Sequence, residues 1–312
     1  MQVSRRQFLV GTTSLTLASV LKLNNRAQNV KRTRIILLGT KGGPNVGKSG
    51  RSNPATLILI GDIPYLVDCG YGVTRQMILA GVSLNRLRYV FITHHHSDHN
   101  LEYGALLYNV WVAAQQSEID AYGPVGLRKL TLDFIEYQKF DIETRMSDEG
   151  YKHPSSIIVT HEFEQAGTVM RNDDVTVTSC RVRHPPITQS YAYRFDAKDR
   201  SVVISGDTAY APELAAFAKG AEVLVHEAMY LPGIERLLKQ APNATRLREH
   251  LLASHTSTED VGKIAAQAGV NTLVLSHLVP GDDPSITDEQ WSADVRKNFK
   301  GRIVVGKDLM EI

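Results

Sequence analysis

Six consecutive positions, His94-His95-His96-Ser97-Asp98-His99, carry four imidazoles and a carboxylate, and they constrain this chain more than any other stretch. They follow the apolar run Tyr89–Thr93, read as a β-strand, and precede a helical pattern from Leu101 to Gln116. Several potential ligands therefore leave a strand end in one tight turn. Neutral imidazole nitrogens and a carboxylate suit Zn²⁺, at ~2.0–2.2 Å. Packing alone offers no reason to crowd them, because each buried imidazole needs a hydrogen-bond partner.

Around this turn, apolar β-rich runs alternate with Gly, Pro and Asn turns. Strands are predicted at Arg34–Leu38, Thr56–Ile60, Tyr65–Val67, Thr176–Val182, Tyr191–Phe195, Val202–Ser205, Val223–Val225, Thr272–Leu275 and Ile303–Val305. Helical patterns fall at Val73–Ala80, Leu127–Tyr137, Pro212–Ala218 and Thr258–Ala268. Strands early, with helices between later strands, predict an α/β fold of two mixed sheets packed face to face, with helices on both outer faces: an αββα sandwich. One domain over residues 33–312 is the simplest partition. The polar segment Tyr137–Gly167 reads as irregular, a surface loop or a lid. Tyr103, Tyr108 and Trp111, at helical spacing, read as core.

The 312 residues are 43% hydrophobic and 22% charged, an ordinary globular balance. The N-terminus runs Ser4-Arg5-Arg6-Gln7-Phe8-Leu9 into a short apolar stretch ending near Leu21. It resembles a twin-arginine export signal, with residues 1–27 removed and the mature protein periplasmic or secreted. The stretch is shorter than the ~20 residues a spanning helix needs, so stable membrane insertion is not expected. Without residues 1–27, 31 basic residues face 33 acidic ones. That balance gives no global attraction to polyanions, and no nucleic-acid partner is expected. Cys69 and Cys180 stand far apart with no cysteine at metal-ligand spacing and read as free buried thiols.

The order His-x-His-x-Asp-His resembles the metal-binding motif of the metallo-β-lactamase superfamily. That resemblance implies a single His, a bridging Asp and a last His, each at a strand end. His184, Asp207 in Ser205-Gly206-Asp207-Thr208, and His277 in Ser276-His277-Leu278 supply them in order. By resemblance, His94, His96 and His184 hold one metal, Asp98, His99 and His277 a second, and Asp207 bridges them; His95 points away. The implied cofactor is two Zn²⁺ per chain, with Fe²⁺ or Mn²⁺ as alternatives. The implied mechanism is hydrolysis by a metal-bridging hydroxide, with Asp98 orienting the attacking water.

Two further motifs narrow the branch: His226-Glu227-Ala228, and Ser254-His255-Thr256-Ser257-Thr258-Glu259-Asp260. Thr256 with Glu259 has capping-box spacing, which would set His255 at a helix N-terminus, where it could bind an anionic oxygen or protonate a leaving alkoxide. Asp98, His255 and Glu227 are the candidate catalytic residues. With Ser276-His277, the set resembles the ribonuclease Z and arylsulfatase-like branch. Ribonuclease Z carries a tRNA-gripping arm between the third metal histidine and the bridging aspartate, and the stretch from His184 to Asp207 is too short for one. The expected substrate is therefore a small anionic ester, a phosphodiester or an aryl sulfate, handled by a monomer or homodimer. The alternatives are a tRNA 3′-processing endonuclease, a β-lactamase or a thioesterase of the same fold; a non-catalytic periplasmic binding protein is the remaining class.

Gly42-Gly43-Pro44-Asn45-Val46-Gly47-Lys48-Ser49 matches a P-loop pattern. Pro54 and the strand after it exclude the helix such a loop must open. The loop reads instead as a rim of the metal site, with Lys48 or Arg51 either near an anionic substrate or part of a solvated charged loop.

Overall fold

In the first strand, Ile35 and Leu37 pack on one side and Ile36 and Leu38 on the other, and all four are buried. A strand with both faces covered belongs in the middle of a layered molecule. This computed structural model describes residues 32–47, 49–114 and 117–312. The twin-arginine segment and Lys48 lie outside the described residues.

Among the described residues, fourteen strands form two seven-stranded mixed sheets. The first contains β1 (Arg34–Gly39), β2 (Ala55–Ile60), β3 (Ile63–Val67), β4 (Tyr89–Phe91), β5 (Ile119–Gly123) and β6 (Ile158–Glu162). The second contains β7 (Gly167–Arg171), β8 (Val175–Arg181), β9 (Tyr191–Ala197), β10 (Ser201–Ile204), β11 (Val223–Met229), β12 (Thr272–Val279) and β13 (Arg302–Val305). The final strand, β14 (Met310–Glu311), returns to pair with β1. Each sheet has an antiparallel half and a parallel half. β1 to β3 pair antiparallel and β3 to β6 parallel, while β7 to β10 pair antiparallel and β10 to β13 parallel. Parallel neighbours require crossovers, which is where the helices sit.

Three apolar layers hold this arrangement. The central one lies between the sheets, where Phe91 from the first sheet meets Phe195 from the second at 5.2 Å between ring centroids. The outer layers join each sheet to its helices. Leu57, Leu66 and Val90 pack with Met77, Tyr103 and Trp111 on one side, and Val203, Leu224 and Leu273 pack with Leu214, Ile264 and Trp291 on the other. The αββα expectation is met, and Tyr103 and Trp111 are core, with Tyr108 half-buried against it.

The segment Tyr137–Gly167 departs from its reading. It holds the helix Lys139–Asp148, of which only Ile142 is buried, then the half-buried edge strand β6. Their polar sequences gave no apolar period, since one anchoring side chain suffices at a surface. Cys69 and Cys180 are both free, but Cys180 is only half-buried. Among the described residues no helix is long and apolar enough to cross a membrane.

Because Phe195 is 1% exposed at the centre of the inter-sheet layer, Phe195→Ala should lower the unfolding free energy by about 3–5 kcal/mol. Tyr137, 81% exposed, is the control: Tyr137→Ala should stay within about 0.5 kcal/mol. Equilibrium denaturation of the two variants checks the layer assignment, and equal losses would contradict it.

Candidate metal centre

The polar residues of interest gather at the carboxyl ends of the parallel strands, where α/β sheets place their ligands. Asp68 follows β3, His94 and His96 follow β4, Asp207 follows β10, and Glu227 and His277 lie late in β11 and β12. Two of these positions need unusual backbone. Gly206 has φ +59, and a Cβ there would lie 2.7 Å from the Tyr191 carbonyl oxygen. His277 has φ +43. It is the extra residue of a bulge, since Glu227 pairs with Ser276 and Ala228 with Leu278. A bulge re-aims a side chain, and here it turns an imidazole out of the strand's alternation.

The ligand atoms form two groups that share one carboxylate. Those of His94, His96, His184 and Asp207 lie within 4.8 Å of one another, as do those of Asp98, His99, Asp207 and His277. In the first group, His94 Nε2 and His184 Nε2 each stand 3.0 Å from His96 Nδ1. The other nitrogen of His184 donates to the Ser254 carbonyl at 2.9 Å, which leaves Nε2 with a lone pair facing inward. Burial keeps His94 well below the ordinary imidazole range and lowers His96 to about 4, and it is the first cause lowering His184. These three rings are therefore neutral donors pointed at one spot.

The second group has the opposite electrostatics. Asp207 Oδ1 lies 3.2 Å from His99 Nε2, Asp207 Oδ2 lies 3.0 Å from His277 Nε2, and Asp98 Oδ2 lies 3.4 Å from His277 Nε2. Burial would lower both histidines, but Asp207 and Asp68 lift His99 well above its usual range, and Asp207 with Asp98 raises His277 to about 10. Burial would raise the carboxyls of Asp98 and Asp207, yet the neighbouring His99 and His277 outweigh it and hold both low. Three buried carboxylates (Asp68, Asp98 and Asp207) thus demand positive charge at this point.

The donor set fits divalent cations. His99 Nε2, Asp207 Oδ1 and both ring nitrogens of His277 are buried and, although Asp207 stands 3.0–3.2 Å from the two rings, none makes a hydrogen bond of acceptable geometry. Such atoms are costly unless something coordinates them. Converging imidazole lone pairs, with carboxylates beside them, are what Zn²⁺ takes at an open site. The sequence reading missed Asp68. Its Oδ2 lies 2.7 Å from His99 Nδ1 and its Oδ1 accepts from the Thr93 N–H at 2.8 Å, so it aims His99 and tethers the metal turn. The available signal was a lone aspartate directly after an apolar strand. His95 does point away, its ring beside the Val125 carbonyl at 3.1 Å.

His255 and Glu227 meet beside the second group. Glu227 Oε1 lies 3.3 Å from His255 Nδ1 and accepts from the backbone N–H of Thr256 at 2.9 Å and of Thr208 at 3.2 Å. The capping-box expectation fails. Ser257, not Thr256, caps the helix Thr258–Ala268, its Oγ accepting from the Asp260 N–H, while the Thr256 hydroxyl donates to the Thr208 carbonyl. His255 is oriented by a buried carboxylate rather than by a helix N-terminus. Arg51 is also elsewhere occupied, donating to Thr40 Oγ1 and the Gly306 carbonyl. The segment Tyr137–Gly167, read as a surface loop or a lid, does not border the pocket above the candidate metal centre; the helices Leu231–Gln240 and Leu247–Ser254 do.

Residues 64–278 match the family described as beta-lactamase superfamily domain. A ribonuclease Z of Mycobacterium bovis is 33% identical over 281 residues, covering 89% of this chain and 97% of the relative. The chain belongs to the ribonuclease Z family of the metallo-β-lactamase superfamily. Solved structures share its fold at lower identity. The metallo-β-lactamase fold protein YhfI of Bacillus subtilis aligns with a TM-score of 0.65 at 22% identity, covering 90% of this chain and 98% of that one. The short form of human tRNase Z aligns with a TM-score of 0.64 at 19% identity, covering 89% and 98%. Family and donor geometry together point to a metal-dependent hydrolase with a dinuclear centre.

The expectation of no nucleic-acid partner is corrected by these relatives. It rested on net charge and on the short stretch from His184 to Asp207. Net charge sums the whole surface and leaves the field around one site undetermined. The short stretch does not set this family member apart either, because a protein named ribonuclease Z aligns with it along 97% of its own length.

Since Asp68 holds His99 from behind, Asp68→Asn should weaken binding of the second metal about 10–100-fold while the first remains bound. Zinc titration of the chelator-stripped protein measures both steps. Equal affinities in variant and wild type would remove Asp68 from the centre.

Proposed function

We propose that this chain is a dinuclear zinc phosphodiesterase of ribonuclease Z type that cleaves RNA phosphodiesters. One observation carries the reading: two donor groups share Asp207, and a carboxylate-held imidazole, His255, lines the same pocket. Similarity to proteins named ribonuclease Z supplies the substrate class.

In this reading His94, His96 and His184 would hold one ion, Asp98, His99 and His277 the other, and Asp207, common to both donor groups, would serve both. Zinc bound at such a centre would supply an acidified water near neutral pH and offset charge gathering on the phosphoryl oxygens. The chain does the rest. Asp98, whose Oδ2 accepts from the Gly43 N–H at 2.9 Å, orients the attacking water. His255 donates a proton to the departing oxygen. Glu227 Oε1 accepts from its Nδ1 side, which orients the ring and leaves the other ring nitrogen for the substrate. Two backbone N–H groups on the same oxygen hold Glu227 in place.

The reading is tested with zinc-loaded protein on 3′-extended precursor tRNA, bis-aryl phosphodiesters, aryl sulfates, a chromogenic lactam and lactoylglutathione. Chelator-sensitive phosphodiester cleavage is expected, and turnover confined to the lactam or the thioester would contradict it. Aryl sulfates belong in the panel because sulfate presents the same anionic ester to the metals.

His255→Ala should lower kcat on RNA about 10²–10⁴-fold with metal content unchanged. On bis(4-nitrophenyl) phosphate, whose leaving group departs without a proton, the loss should be less than tenfold. A uniform loss on both substrates would show that His255 does not deliver the proton.

A further inference from the structure

The pocket above the metal centre has a volume of about 420 Å³, within the range of small-molecule sites. Its floor is polar, formed by Asp98, Asp207, His255 and His277. Its walls are not. Leu237, Leu247 and Leu251 enter from the helices Leu231–Gln240 and Leu247–Ser254, and Val279 and Pro280 face them from the end of β12. Leu251 and Val279 are buried in a small apolar cluster of their own with Ile234 and Met229, and Leu237 and Leu247 pack on it half-exposed. The cluster fixes the two leucines while part of each remains for a ligand to cover.

Charge in this chamber is already committed. Lys41 is buried, 3.6 Å from Asp282, and donates to the carbonyls of Gly42 and Gly43. Arg236 pairs with Asp283 at 2.5 Å. Both cations of the described lining thus have carboxylate partners, Lys41 buried and Arg236 half-exposed. The described lining also contains no Phe, Tyr or Trp on which a base would stack.

We propose that this chamber is a subsite for an uncharged apolar group, alkyl or aryl, attached to the phosphorus centre. The chain then hydrolyses small phosphodiesters bearing such a group in addition to RNA. The inference rests on the phosphodiesterase reading and adds the substituent that the pocket selects. Water displaces the alcohol at phosphorus: its oxygen joins phosphorus as one P–O ester bond breaks, the alcohol departs with a proton from His255, and the proton lost by the water goes to solvent, from which His255 is reprotonated. The apolar substituent, seated among the leucines, holds the phosphorus over Asp207.

Binding of methylphosphonate and pentylphosphonate to the zinc-loaded protein, by calorimetry, tests this without turnover. Each buried methylene is worth roughly a fourfold gain in affinity, so the pentyl compound should bind at least ~10-fold tighter. Leu247→Ser removes apolar wall and Leu237→Trp fills the chamber; either should cut the ratio below about threefold. A flat series in wild-type protein that still cleaves phosphodiesters overturns this proposal alone, as does an unchanged ratio in both variants. A steep series in protein that cleaves no phosphodiester overturns the reaction assigned to the site, and this proposal with it.

Discussion

The Asp207 carboxylate is the point on which the structure turns. It is buried between two sets of imidazoles, 3.9 Å from the Nε2 atoms of His94 and His184 and 3.0–3.2 Å from those of His277 and His99. With Asp98 and Asp68 it concentrates negative charge where water is excluded, a placement tolerable only if cations answer it. One side offers neutral lone pairs and the other offers negative charge. Two dications meet both conditions, and no apolar packing does.

The two sheets exist, in functional terms, to hold that convergence. The half-antiparallel, half-parallel build of each sheet gathers parallel strand ends at one edge, and each contributes one short polar segment. Where strand geometry alone would aim a residue wrongly, local devices correct it: the bulge at His277 and the glycine turn before Asp207. Asp68 and the Ser254 carbonyl then fix ring orientation from behind.

Much of this was legible in the sequence because it is carried by short, dense patterns. The 94–99 turn declared itself, and His184, Asp207 and His277 each follow an apolar run recognisable as a strand. Most interior strands were readable because both faces are buried, which makes them continuously apolar, as in Ala55–Ile60; β5, interior but interrupted by Asp120 and ending in Gly123, was not predicted. What escaped lacks such a pattern. The edge strands β6 and β7 and the helix Lys139–Asp148 are mostly solvated. Asp68 is a single acid whose role depends on a partner 31 positions away. The capping of Thr258–Ala268 went to Ser257 because Thr256 was already engaged by Thr208 and Glu227, long-range contacts that local spacing cannot register. The wall made by residues 231–254 was missed for the same reason, since its leucines acquire meaning only opposite Val279 and Pro280.

The convergence gives the centre its chemistry, and the residues around it give it direction. Asp98 and His255 stand on the pocket floor, where the proposed reaction needs a group to order water and a group to release the leaving oxygen, and the helices Leu231–Gln240 and Leu247–Ser254 border the approach. The most direct test of the central claim is anomalous scattering at the zinc edge from crystals of the zinc-loaded protein. Two peaks are predicted, one among His94, His96 and His184 and one among Asp98, His99 and His277, with Asp207 contacting both. A lone peak away from Asp207, or none in either group, would contradict it.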